Sequence, residues 1–291
     1  MPRFPLAALV VAFGLFACSA GEEAPPGKNP SDSGRIACAE APSSDGASET
    51  TCLEAVTGTV VDSMAAPLEA AAVTVCGTVC FGGTTTAKGD YRIAVNSFLP
   101  RQKYAVSANG RPFYAGLYVP LSGQDPTSTV LALPPVVLPR FADGAVRLPE
   151  DGIGGALTSR AVTLDIPSGT SWDLPFEDFA DETEGRMFRQ AILAPGQAPT
   201  VAPGAPLRIA LGPFKAKPSK PISITVQTTV FPAGTPVEFA VMEDVFEGSQ
   251  EMPGRFRTVA SGHANSAGTA VTTDEGTGID RLTWLAVRAT R

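Results

Sequence analysis

The sequence predicts an all-β protein: two antiparallel β-sandwich domains in tandem behind a signal peptide and a disordered tether. Three observations predict it. Glycine and proline supply 56 of the 291 residues, well above the roughly 12% of average usage, and so favour short strands and turns over long helices. From Leu53 onward the apolar residues recur with a period of two rather than 3.6. Strand-like runs return every 8 to 15 residues with Gly, Pro or Asn between them, the spacing of an antiparallel sandwich. A length of 291 residues with 44% hydrophobic and 18% charged side chains suits two domains with real cores.

The first element is the leader, residues 1–17. It carries a single charge, Arg3, followed by an apolar run from Leu6 to Ala17. A run of this length is too short for a bilayer, which needs roughly 20 residues, but it fits the apolar region of a secretory signal. It ends Leu15-Phe16-Ala17-Cys18. This tetrapeptide resembles the bacterial lipobox, with Phe16 in place of the usual small or aliphatic residue. The resemblance implies that Cys18 is lipidated and anchors the chain to a membrane of the cell envelope. Ser19 after the cysteine is compatible with outer-membrane sorting, so the outer membrane is the favoured address.

The second element, residues 18–52, is a tether. Ser, Gly, Pro, Ala and Glu dominate it, and such a composition cannot bury enough surface to order itself. Fully extended, it reaches at most roughly 120 Å. Five cysteines are present: Cys18, Cys38, Cys52, Cys76 and Cys80. With Cys18 lipidated, four remain, an even number that suits an oxidising compartment. The local pairings Cys38–Cys52 and Cys76–Cys80 are favoured. Cys76 and Cys80 flank Gly77-Thr78-Val79, and a three-residue hairpin loop sets its flanking residues opposite one another, within disulfide reach. A four-cysteine zinc site is the rival, disfavoured because Cys38 and Cys52 lie 14 positions apart.

The third element, residues 53–139, is the first sandwich. Val56, Gly58 and Val60 alternate with Thr57, Thr59 and Val61, and further strands are expected around Val73–Val75, Tyr91–Val95, Lys103–Ser107 and Thr129–Leu133. Asp62 to Pro67 reads as a turn, and Lys88-Gly89 as a hairpin turn in which Gly supplies φ > 0. Tyr91 is expected to pack its ring on the core and leave its hydroxyl at the rim. The run Gly58-Thr-Val60, Asp62, Pro67-Leu68, Ala71 and Val73, then Thr85-Thr-Ala-Lys-Gly89-Asp-Tyr91, resembles the carboxypeptidase regulatory-like domain. The resemblance implies a transthyretin-like sandwich of about seven strands that acts as an accessory module with no catalytic residues. Ala65 and Ala70 stand where that family usually has glycine, and Thr86 where it usually has aspartate.

The fourth element, residues 140–291, follows the proline-punctuated linker Leu133–Pro139. Strands are expected at Ala145–Leu148, Ala161–Ile166, Met187–Leu193, Leu207–Leu211, Ile222–Val226, Val237–Met242, Phe256–Ser261, Gly268–Thr272 and Leu282–Val287, with a helical turn or two near Phe176–Thr183. It forms a second β-rich domain of no recognised family.

Composition and motifs then narrow the chemistry. The formal charge is −7, so no basic excess exists to drive counterion release from nucleic acid. The single histidine, His263, is expected in a turn between Ser261 and Gly268; with no Gly-x-Ser-x-Gly elbow it builds no triad, and one histidine cannot make the zinc site of a metallocarboxypeptidase. The acidic run Asp173, Glu177, Asp178, Asp181, Glu182 and Glu184 is a solvated loop or a calcium site, with a carboxylate pair for glycoside hydrolysis disfavoured because every acid lies in one short segment. Lys215, Lys217 and Lys220 form a solvated loop or a small basic patch. Trp172 and Trp284 are candidates for stacking on sugar rings, with core packing the alternative. The expectation is therefore a non-catalytic, lipid-anchored envelope protein with no metal and no cofactor. It presents its β modules for contact with an envelope protein or for spacing, and the alternative is a polysaccharide-binding lipoprotein using exposed aromatics.

Overall fold

A computed structural model describes residues 50–125, 127–175, 178, 181, 183–193, 201–202, 204–244 and 254–290. The leader, Cys18, Cys38 and nearly all of the tether lie outside these residues. The described residues fall in one compact unit, Ile36–Arg291, and they are all-β, as expected. No helix among them is long and apolar enough to cross a membrane.

Among the described residues, eight strands precede residue 140: β1 (Thr51–Val61), β2 (Ala72–Cys76), β3 (Cys80–Thr84), β4 (Asp90–Leu99), β5 (Ala105–Asn109), β6 (Gly116–Pro120), β7 (Val130–Ala132) and β8 (Val136–Val137). One sheet runs β4-β1-β7, with β8 also on β1; the other runs β3-β2-β5-β6. The β1–β4 pair is antiparallel, whereas β7 and β8 lie parallel to β1. Leu53, Val56 and Val60 of β1 and Val73 and Val75 of β2 share one core with Ile93, Val95 and Val106. The stretch Leu133–Pro139 was expected to be a linker. Instead Leu133, Val136 and Leu138 are buried in this core and Val136–Val137 pairs with Val60–Val61, so the prolines punctuate a strand rather than free a hinge.

The expected turns have a physical basis here. Asp62 Oδ1 accepts hydrogen bonds from Met64 N (2.8 Å) and Ala66 N (2.9 Å), an Asx turn. Ala65 (φ 63°) and Ala70 (φ 57°) adopt the left-handed conformation, the one that glycine adopts without steric cost. Gly89 has φ 76°, and a Cβ there would lie 2.5 Å from the Val60 carbonyl oxygen. Tyr91 departs from expectation: its hydroxyl is buried without a partner rather than at the rim, and burial pushes the phenol up to about 12. The phenol packs across Gly58, where a Cβ would sit 2.7 Å from the hydroxyl oxygen. The second half of this family-like pattern therefore demands the glycine of the first.

The rest of the chain contributes β9 (Val146–Arg147), β10 (Gly155–Ser159), β11 (Val162–Ile166), β12 (Trp172–Asp173), β13 (Met187–Leu193), β14 (Leu207–Gly212), β15 (Lys217–Pro218), β16 (Ser223–Gln227), β17 (Pro236–Met242), β18 (Phe256–Ala264), β19 (Ala270–Thr273) and β20 (Trp284–Ala289). Ten of them form a single sheet, β10-β11-β16-β19-β18-β17-β20-β14-β13-β9. It curls until β10 meets β9 and β13, a nearly closed barrel. Val162, Leu164, Ile224, Val226, Phe239 and Ile209 are among the side chains that fill its interior. β12 pairs only with β15.

The burial patterns separate two kinds of strand. β11 and β16 alternate buried and accessible residues, so one face is wet. β14 is buried throughout, and β20 from Trp284 to Val287. Their inward residues belong to the barrel core, whereas Ala210, Trp284, Ala191 and Met242 belong to the core of the first sandwich. The outer face of β13, β14, β17 and β20 is therefore the floor on which the sandwich rests.

Candidate functional site

The seam between the sandwich and this floor is the most elaborated region of the described residues. Trp284 is fully buried, and its Nε1 donates to the Gly116 carbonyl at 2.6 Å. Gly116 also admits the Phe214 ring, which a Cβ there would meet at 2.2 Å. Phe214 and Tyr118 rings pack at 5.7 Å between centroids, and Lys215 Nζ lies 4.9 Å from the Tyr118 centroid. The Tyr118 hydroxyl donates to Asp244 Oδ1 at 2.5 Å. On the other side of the seam Arg111 of the sandwich is ion-paired with Asp178, and Arg189 lies over the Phe113 ring at 5.8 Å.

Beside Trp284 the seam opens into a cleft of about 330 Å³. Leu117 and Val119 of β6 form one wall; Ala240 and Met242 of β17 and Ala286 of β20 form the floor. Arg255 and Arg288 stand at the rim, both exposed. Sequence reasoning did not single out this cleft. Its signal was there in the apolar runs Ile209–Leu211 of β14, Phe239–Met242 of β17 and Trp284–Val287 of β20, which mark stretches covered on both faces.

The other chemical cluster lies on the wet face of the barrel. His263 is not in a turn: β18 runs on to Ala264, and the chain reverses only after it, where Gly268 N donates to Asn265 O. Ser261 and His263 both point outward, and both bond to Asp274. Ser261 Oγ donates to Oδ2 at 2.6 Å, and His263 Nδ1 lies 2.9 Å from Oδ1. The Ser261 hydroxyl and then the imidazole hold the Asp274 carboxyl below the usual carboxylate range. The serine hydroxyl is thus spent on the carboxylate, not on the imidazole, so this trio lacks the base-to-nucleophile bond of a hydrolytic triad. Thr272, Thr225, Thr163 and Thr158 continue the row of His263 across the next four strands. Their hydroxyls bond in pairs at 3.0 Å, Thr158 with Thr163 and Thr225 with Thr272, which accounts for a ladder of threonines as cross-strand stabilisation.

The remaining expected site residues are dispersed. Trp172 is 8% exposed and Trp284 0%, so neither indole offers a face to a sugar ring. Cys76 and Cys80 face each other across the β2–β3 hairpin and are joined by a disulfide. Cys52 is disulfide-bonded, while Cys38 and Cys18 lie outside the described residues, as do Glu177 and Glu182. The acidic run does not converge. Asp178 is buried against Arg111, Asp181 Oδ1 accepts from the Thr183 and Glu184 amides, and Glu184 pairs with Arg189. It is therefore not wholly a solvated loop, and no group of three or more His, Cys, Asp or Glu gathers to hold a metal among the described residues. The three lysines separate too: Lys215 covers aromatic rings, Lys217 lies in β15, and Lys220 Nζ donates to Ser168 O at 2.6 Å. No family model matches this chain, and no curated protein matches it either.

Proposed function

We propose that the chain is a non-catalytic, lipid-anchored protein of the cell envelope, at the outer membrane, that presents a fused β body for contact with another envelope protein or for spacing. The first sandwich serves in it as an accessory module of the carboxypeptidase regulatory-like kind. The observation that carries the reading is the seam. Residues from both parts share one core, and a buried indole bonds across it at 2.6 Å. A body that sets a distance or presents a surface must hold its parts in fixed relation, and a shared core does so where a flexible linker does not. The lipobox-like Leu15–Cys18 and the polar tether behind it supply attachment and reach. The bonding of Ser261 to Asp274 rather than to His263 supports binding over turnover.

The anchor is tested by fractionating cells that express the native chain or Cys18→Ser. The native chain is expected in the membrane fraction and the variant in the soluble or unprocessed fraction. A variant that still partitions as a mature membrane protein refutes the anchor. Hydrolysis of a peptide, ester or glycoside that disappears with His263→Ala refutes the non-catalytic reading.

A further inference from the structure

We propose that the free edge of β3 pairs with the same edge of a second copy of this chain, antiparallel and about a two-fold axis at Gly82. The ladder fixes which backbone groups are free. β2 and β3 pair from Ala72–Thr84 to Cys76–Cys80 without a register shift. At one end Gly77 N donates to the Val79 carbonyl at 3.1 Å, and at the other Thr85 N donates to the Ala71 carbonyl at 3.0 Å. Bonded and non-bonded pairs alternate along an antiparallel ladder, so Phe81 and Gly83 direct their N–H and C=O groups to β2. Cys80, Gly82 and Thr84 therefore turn theirs away from it. β3 has no strand on its other side, and among the described residues no other backbone bond meets these six groups. All of β3 except Phe81 is exposed.

Sheet edges are ordinarily guarded by charge, bulges, a cover or very short strands, and among the described strands the other edges carry such a device. β4 presents Asp90 and Arg92 and has a register shift in its pairing with β1. β6 lies under the barrel floor, β7 has three residues, β8, β12 and β15 have two, and the two ends of the ten-stranded sheet approach each other. β3 reads Cys-Phe-Gly-Gly-Thr, with no charge and no proline, at ordinary strand length. The pattern of free groups then favours a second copy. The outward residues are symmetric about a glycine. A two-fold at Gly82 sets Cys80 against Thr84 of the second copy and Gly82 against its counterpart, which satisfies all six groups at once. Nothing on the edge attracts a charged partner, and nothing on it repels its own copy, although the whole chain carries −7. Five residues a side supply only part of the roughly 800 Å² that each partner gives to a stable interface, so the dimer is weak and depends on concentration. The pairing goes beyond the function proposed above and does not depend on the anchor.

The test uses the full-length chain carrying Cys18→Ser in analytical ultracentrifugation. A monomer–dimer equilibrium is expected, with dimer populated below millimolar concentration. Added salt is expected to strengthen it, because screening relieves the mutual repulsion of two acidic bodies. Amide exchange at Gly82 and Thr84 is expected to slow as the dimer forms. Gly82 also allows a charge swap. A Cβ there would meet only Thr74 Cγ2 at 3.5 Å and the Val73 carbonyl oxygen at 3.9 Å, ordinary contacts, and its φ is not left-handed. Gly82→Lys sets two like charges opposite each other across the axis and is expected to weaken the dimer about fivefold, and Gly82→Glu does the same. An equimolar mixture of the two variants is expected to associate at least as well as the chain with Gly82. If the variants fail to fold, the exchange measurement on the chain with Gly82 decides. The proposal is overturned by a chain that stays monomeric, whether or not its β3 edge takes up an uncharged extended peptide. It is equally overturned by exchange at Gly82 and Thr84 that ignores concentration, or by a mixture that associates no better than either variant alone.

Discussion

At Ala65 and Ala70 an L side chain occupies the left-handed region, φ 63° and 57°, at a steric cost of about 1–2 kcal/mol each. Ala65 is exposed, so removing its Cβ leaves no cavity. Glycine would relieve the strain and lose about 0.4–1 kcal/mol of that gain to the larger freedom of its unfolded chain. Ala65→Gly is therefore expected to stabilise the protein by about 0.5–1 kcal/mol, read as a rise in the denaturant midpoint at constant slope. A fall in the midpoint would mean that the turn is not held left-handed in solution. Elsewhere a single residue holds a whole corner. Arg101 is 6% exposed and donates to the Asp125, Cys52 and Ser128 carbonyls, at 2.7, 2.7 and 2.5 Å. One guanidinium thus ties the start of β1 to the segment that leads into β7. The residue-scale roles that were legible in the sequence were those with one local cause. The φ of Gly89 and the Cys76–Cys80 hairpin both follow from a few adjacent residues. The burial of the Tyr91 hydroxyl does not, because the strand that covers it is 33 positions upstream at Gly58.

Among the elements, β6 carries the seam. It is an edge strand of its sheet, and edges are ordinarily protected by charge, bulges or a cover. Here the floor of the barrel is the cover, and the Trp284 bond to Gly116 closes it. Because a Cβ on Gly116 would fall 2.2 Å from Phe214, Gly116→Ala forces the strand and the ring apart. The expected cost is about 1–3 kcal/mol, a fall in melting midpoint of several degrees for a chain of this size. An unchanged midpoint would show that the seam is looser than the packing implies. Strand periodicity made most of these elements readable: Met187–Leu193 has the bounds expected of it, and Val237–Met242 differs by one residue. Of the two-residue strands, β9 lies inside the expected Ala145–Leu148, whereas β8, β12 and β15 were not readable, because so short a run has no period to detect. His263 was placed in a turn for a similar reason: Ser261, Gly262 and His263 have turn-like composition, and only the pairing of β18 with β17 and β19 holds them extended.

For the whole molecule, the shared core predicts cooperative unfolding. Trp284 lies in the core common to sandwich and floor and Trp172 in the barrel core, so tryptophan fluorescence reports both regions. Its denaturant transition is expected to coincide with that of far-UV circular dichroism, as a single step. Two separated steps would show that sandwich and barrel are energetically independent. The same argument predicts that a chain cut at residue 139 exposes the β6 edge and associates.

Period-two patterning, turn residues and cysteine spacing are local properties, and by themselves they determined that the chain is all-β, where its longer strands run, and which two cysteines close a hairpin. The lipobox-like tetrapeptide is equally local, which is why an anchor is read there without a fold. What only the tertiary structure decided is what each strand is packed against. Apolar runs such as Ile209–Leu211 in β14 and Trp284–Val287 in β20 announce burial on two sides without naming the partner, since burial depends on residues brought together from across the chain. The curled ten-stranded sheet, the seam and the cleft beside Trp284 all arise from that pairing at a distance. Two alanines, Ala240 and Ala286, 46 positions apart, look like ordinary strand residues until register sets them side by side.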